Sequence, residues 1–131
     1  MLKKEAAKGS GGRVILMDSI TKVTSEDKGA IVVCASHGGS SSGEFALEVA
    51  LKAVIFNDAG VGKDNAGIAA LDMLQKRGVA AAAVAHTSGR IGDSMDMWEN
   101  GVLSHVNALG QAAGLTPGSR VRTVLTQIVS R

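Results

Sequence analysis

Apolar residues along the chain come in short, unbroken runs, each closed by a polar, glycine-rich turn. RVILMDSITKV, residues 13–23, is dense in β-branched and aliphatic side chains and predicts a strand. AIVVCAS (30–36), AVIF (53–56) and VAAAAVA (79–85) have the length and continuity of strands buried on both faces. Between these runs the period changes. EFALEVALK, residues 44–52, brings Phe45 and Val49 to one helical face. Residues 65–77 repeat Ile68, Leu71 and Leu74 at spacing three, and Gly78 after Lys76 and Arg77 is a C-terminal stop. A longer helix is predicted over 94–113, with Met95, Trp98, Val102, Val106 and Leu109 inward and Gly114 at its end. Thr116 and Pro117 open a last segment, SRVRTVLTQIV, whose composition suits helix or strand. Residues 1–12, charged and then Gly/Ser-rich, read as a flexible lead-in, partly helical at LKKEAAK.

Strand, glycine turn and helix follow one another three times, the pattern of βαβ units on a parallel sheet. The expectation is one α/β domain over residues 13–131, Rossmann-like or flavodoxin-like, in two or three layers, with an added N-terminal strand. In such a sheet the strands end on one rim, where ligands bind. Three polar clusters follow strands directly and are expected to meet there. The first runs from Ser36 to Glu44 with His37, Gly38, Gly39 and Ser40. The second runs from Asn57 to Asp64 with Asp58, Gly60, Gly62 and Lys63. The third runs from His86 to Asp93 with Ser88 and Arg90. Ordinary turns draw on Gly, Ser, Asn and Asp; they need neither a histidine at two strand ends nor a lysine and an arginine besides.

The second cluster, NDAGVGKD, has the look of a phosphate loop but fails the tests for one. A Walker loop needs glycine at position 57 and a hydroxyl at 64, where the chain has Asn57 and Asp64. The dinucleotide pattern needs glycine at 65, which is Asn65. What the turn offers is flexible backbone, a cation at Lys63, and Asp64 or Asn65 as a cap for the next helix. His37 and His86 are candidate proton-transfer groups, with Asp58 orienting one of them or sharing its role. Arg90 and Lys63 are candidate grips for a negative group, Arg90 in two-pronged fashion. Gly38, Gly39, Ser40, Asn57, Gly60, Gly62, Asp64, Ser88 and Asp93 complete the expected substrate-binding set. Ser40, Ser41 and Ser42 lack the Gly-x-Ser-x-Gly spacing of a nucleophile elbow. No organic cofactor is expected. His37, His86, Asp58 and Asp93 could ligate a divalent metal, although HxH and HExxH spacings are absent. His105 reads as a packed or interfacial residue within the long helix.

Composition narrows the partners. A chain of 131 residues, 45% hydrophobic, can bury a core of its own. Only 2% is aromatic and tyrosine is absent, so that core is built from small and aliphatic side chains, which suggests support from a homo-oligomer. The net charge is +2 with scattered basic residues, which gives no nucleic-acid stripe. The lone Cys34 reads as a buried structural thiol. No apolar run approaches a membrane span and the start lacks a signal-peptide centre, so a cytoplasmic location is expected. The functional expectation is an enzyme performing acid–base chemistry, of the hydrolase, lyase or isomerase kind, on a small anionic or carbonyl-bearing metabolite. The alternatives are a non-catalytic module that binds an anionic ligand, or a small subunit of a larger enzyme.

Overall fold

In the computed structural model, which describes residues 1–131, the strands are β1 (Lys3–Gly9), β2 (Gly12–Met17), β3 (Ile31–His37), β4 (Ala53–Asn57), β5 (Ala80–Val84) and β6 (Leu103–Val106). They form one sheet in chain order, β1-β2-β3-β4-β5-β6. β2 to β5 are parallel, and β1 and β6 run antiparallel at the two edges. The helices are α1 (Ser40–Ala46), α2 (Ala69–Lys76), α3 (Ser94–Asn100), α4 (Ala108–Ala112) and α5 (Val121–Val129). No helix is long and apolar enough to cross a membrane.

Because side chains alternate along a strand, each central strand feeds two cores. Ile15, Met17, Val32, Cys34, Val54, Phe56, Ala81 and Ala83 meet α1 and α2 through Ala46, Ala70, Leu71 and Leu74. Val14, Leu16, Ile31, Val33, Ile55, Ala82 and Val84 meet α3 and α5 through Met97, Trp98, Val121, Leu125 and Ile128. The architecture is therefore three layers. Two crossovers of one hand that progress in one direction must use one face, which is where α1 and α2 both lie. Cys34 is fully buried, and burial pushes its thiol up to about 12.

Five expectations need correction. The strand expected over 13–23 ends at Met17, where Asp18 turns to accept the Leu2 amide and Ile20–Lys22 forms a 3-10 turn. The N-terminal segment is not a lead-in: Lys3–Gly9 is an edge strand, joined to β2 by a two-residue hairpin turn with Gly9 opposite Gly12. Its glycines serve close approach rather than flexibility. A side chain at Gly9 or Gly11 would run into the carbonyls of Val129 or Ile128 on α5. The helix expected over 44–52 lies earlier, at Ser40–Ala46, because Gly39 is its N-cap and the serines form its first turn. The helix expected over 65–77 is broken. Lys63–Ile68 is a 3-10 stretch in which Asp64 and Asn65 have left-handed backbone, so neither caps α2. The long helix over 94–113 is three elements, α3, β6 and α4. Asn100-Gly101 is a stop, not helix interior: Gly101 turns extended and the next residues pair with β5. The ambiguous last segment is the helix α5.

Candidate functional site

Connections leave the rim to opposite faces at one place. After β4 the chain enters α2 in one core, and after β5 it enters α3 in the other. Adjacent parallel strands that part in this way open a crevice at their C-terminal ends. Asp58 follows β4 there, and His86 stands two residues beyond β5.

Hydrogen bonding holds the two turns together. Asn57 is fully buried; its Nδ2 donates to Gly89 O at 2.8 Å and its Oδ1 accepts from Ala59 N at 2.9 Å. Asp58 N donates to Val84 O at 2.9 Å, which extends the ladder one residue past the strand. The Asp58 carboxylate receives four donors. Oδ1 accepts from Gly60 N at 2.8 Å, His86 N at 3.1 Å and the His86 ring Nδ1 at 3.2 Å. Oδ2 accepts from Ser104 Oγ at 2.7 Å. Burial raises the Asp58 pKa, but hydrogen bonds from Ser104, Gly60 and His86 outweigh it, and the net shift is downward. An ionised carboxylate only accepts, so the proton between it and His86 sits on Nδ1. The neutral ring then presents an unprotonated Nε2, and 53% of that side chain is exposed.

The turn after β4 is strained. Ala59, Gly60, Val61, Gly62, Asp64 and Asn65 all have positive φ. For a β-branched residue such as Val61, at φ 68°, this is a real outlier, of the kind that costs about 1–3 kcal/mol. Val61 is pinned there by its amide donating to Asp58 O and its carbonyl accepting from Gly67 N, both at 2.6 Å. Gly67 must be glycine, because a side chain would strike the Asp58 carbonyl.

Two clefts flank Asp58. One, of about 380 Å³, is lined by His86, Thr87, Ser88, Gly89, Arg90, Ile91 and Asp96. Neither of the chain's two ion pairs includes Arg90 or Lys63. Ser88 Oγ donates to Ala85 O at 2.8 Å and accepts from Val102 N at 2.9 Å, so this hydroxyl shapes the turn. The other cleft, of about 590 Å³, holds Asp64, Asp72, Ser104, His105 and Asn107 among its walls.

The remaining candidates scatter. His37 lines neither cleft. Its Nδ1 accepts from Gly39 N at 3.1 Å, so in the neutral ring Nε2 carries the proton and His37 can only donate outward. Gly38 and Gly39 are buried, Gly38 N donating to Asn57 O and Gly38 O accepting from Ala70 N at the start of α2. Ser40 is exposed as the first residue of α1, and Gly62 and Lys63 are exposed on the turn. Asp93 caps α3 by accepting from Asp96 N at 3.0 Å. No three His, Cys, Asp or Glu side chains gather at metal-ligand spacing.

Three contributing residues escaped the reading of the sequence. Ser104 was placed in a helix that does not exist, and nothing local marked it. His105 was misread for the same reason. Asp18 carried a usable signal as the polar residue ending the RVILM strand. Its Oδ1 accepts from Ser94 N at 3.0 Å and Ser94 Oγ at 2.7 Å, and this fixes the start of α3 on the rim. No protein-family model, curated protein or solved structure significantly matches the chain.

Proposed function

We propose that the chain is an enzyme of acid–base chemistry, of the hydrolase, lyase or isomerase kind, acting where β4 and β5 part. His86 Nε2 is the general base, and Asp58 sets its tautomer and steadies the imidazolium that forms. The observation that carries this reading is the Asp58–His86 pair at the one divide between connections, with a half-exposed His86 lining an open cleft. Arg90 supports a small anionic or carbonyl-bearing substrate, because it lines the same cleft and forms no ion pair with the neighbouring Asp96, whose carboxylate accepts from the Arg90 amide at 2.8 Å. His37 falls outside the proposed machinery, since its outward nitrogen is a donor.

A cytoplasmic homo-oligomer belongs to the same proposal. Its support is the single buried thiol, which calls for no oxidising compartment, and a core short of aromatics. Light scattering gives the copy number directly; a monomer would remove that part.

The test begins with thermal shifts on small carboxylates, phosphates and carbonyl compounds. A ligand at a hundredfold excess over its dissociation constant adds about 2.7 kcal/mol of stability. A hit that Arg90→Ala abolishes is then followed by proton NMR in deuterated buffer. Solvent exchange or conversion of the ligand is expected, retained in His37→Ala and lost in His86→Ala. A ligand that binds at this cleft and stays unchanged would make the protein a sensor instead.

A further inference from the structure

We infer that His105 is a second proton acceptor of this site, held in its accepting form by Ser104 as a positioning residue. The inference rests on the ionised Asp58 of the proposed reading and extends it to the cleft of about 590 Å³.

The argument follows protons along one hydrogen-bonded chain. Ser104 Oγ lies 2.7 Å from Asp58 Oδ2, 3.3 Å from Ala83 O and 3.0 Å from His105 Nδ1. A hydroxyl has one proton and two lone pairs. Asp58 Oδ2 and Ala83 O both only accept, and the charged, nearer oxygen takes the proton. The His105 side of Oγ is then a lone pair, so Nδ1 of His105 carries hydrogen and donates. Nε2 of the neutral His105 ring is consequently unprotonated.

Asp58 thereby sets two histidines at once, His86 directly and His105 through Ser104. His37 has the opposite tautomer, fixed by Gly39 N. The two accepting rings open on different clefts, His86 beside Arg90 and His105 beside Asp64 and Asp72. No lysine or arginine lines the His105 cleft; its other polar side chains are Asn65, Ser104 and Asn107. Asn107 is already bound to Ala81 N and Gly110 N through Oδ1, and to the Leu71 and Val79 carbonyls through Nδ2. Among the lining side chains outside the Asp58 chain, Asp64, Asn65 and Asp72 are left to meet what enters. Two of these three are carboxylates, so a group that donates a hydrogen bond suits the cleft. A second acceptor, at the far end of the relay from His86, lets the site take a proton from either side of Asp58.

Long-range proton–nitrogen correlation of the nitrogen-15 protein, at a pH where the rings are neutral, reads each tautomer. His→Gln variants assign the signals. The expected result is a downfield, unprotonated Nε2 for His86 and His105, and a downfield Nδ1 for His37. In Ser104→Ala, His105 should lose its downfield Nε2 while His86 keeps it, and Ser104→Thr, which retains the hydroxyl, should restore the wild-type spectrum. A wild-type His105 protonated at Nε2 overturns the inference without touching the His86 assignment. A signal unchanged by Ser104→Ala overturns the role of Ser104. A wild-type His86 protonated at Nε2 instead overturns the proposed function, so the two failures are separable in one spectrum. The wild-type reading stands even if the alanine variant folds poorly.

Discussion

The turn after β3 and the turn after β4 are built from the same materials and behave in opposite ways. Each follows a buried strand with a polar pair, then glycines, then a helical stretch. In the first, His37 folds back on its own loop, and Nδ1 takes the amide of Gly39. In the second, Asp58 reaches across to β5 and β6 and gathers His86 and Ser104. The first arrangement closes a helix entry, whereas the second orients an exposed histidine ring. The difference lies in where hydrogen bonds lead, and residue content does not reveal it.

The largest expected effect comes from Asp58→Asn, which keeps the shape but lets the amide impose the wrong tautomer on His86. Once a substrate is found, kcat should fall by about 10⁴, the scale seen when an orienting aspartate is amidated in a serine-protease triad. An intact kcat would place Asp58 with the structural turn residues. Next comes the direct contrast. His86→Ala should lower kcat/KM by about 10²–10⁴, the range for removing a general base. His37→Ala should leave turnover near wild type and reduce stability by about 1 kcal/mol, for one hydrogen bond. Equal losses from both would erase the distinction between the turns.

A third effect concerns the strained loop. Gly67→Ala forces a methyl group into the Asp58 carbonyl and should lower stability by about 1–3 kcal/mol in urea unfolding. It should also weaken ligand binding, since the Asp58 backbone must shift. The smallest effect is acid sensitivity. The Asp18 pKa is raised by burial but lowered on balance by Ser94 and the Leu2 amide. A carboxyl depressed in the folded state stabilises fully above its unfolded value, near 3.8, and loses that stability as pH falls through the lower native value. Asp18→Asn should therefore flatten the fall of the urea midpoint below about pH 4. A slope as steep as wild type would show that Asp18 is not a source of it.

Much of the fold was legible because buried parallel strands are written as continuous apolar runs. AIVVCAS, AVIF and VAAAAVA fell within two residues of β3, β4 and β5. What could not be read was tertiary in origin. LKKEAAK is a fair helix by propensity, but pairing with β2 makes it a strand, and its lysines suit an exposed edge. Met95 to Leu109 keeps a helical spacing across two helices and a strand, so periodicity alone could not find the break. Of the site, Asp58, His86 and Arg90 stood at strand ends or just beyond and were visible there. Ser104 was not, because its role depends on an antiparallel neighbour that only the folded sheet supplies.

The strand order has a consequence for how the protein forms. Every strand pairs with the one before it in the chain, so the sheet can grow strand by strand, each parallel pairing closing a long crossover of the kind that slows folding. Two features break this sequential growth. Helix α5 returns to the first hairpin, where Gly11 N donates to Val129 O at 2.8 Å, and Asp18 waits for Ser94. The Asp58 chain is complete only when β6 docks. A nascent or partly unfolded molecule with the first five strands in place would hold Asp58 and His86 without Ser104 and His105, so the full hydrogen-bonded chain should arise late, after most of the hydrophobic sheet has consolidated.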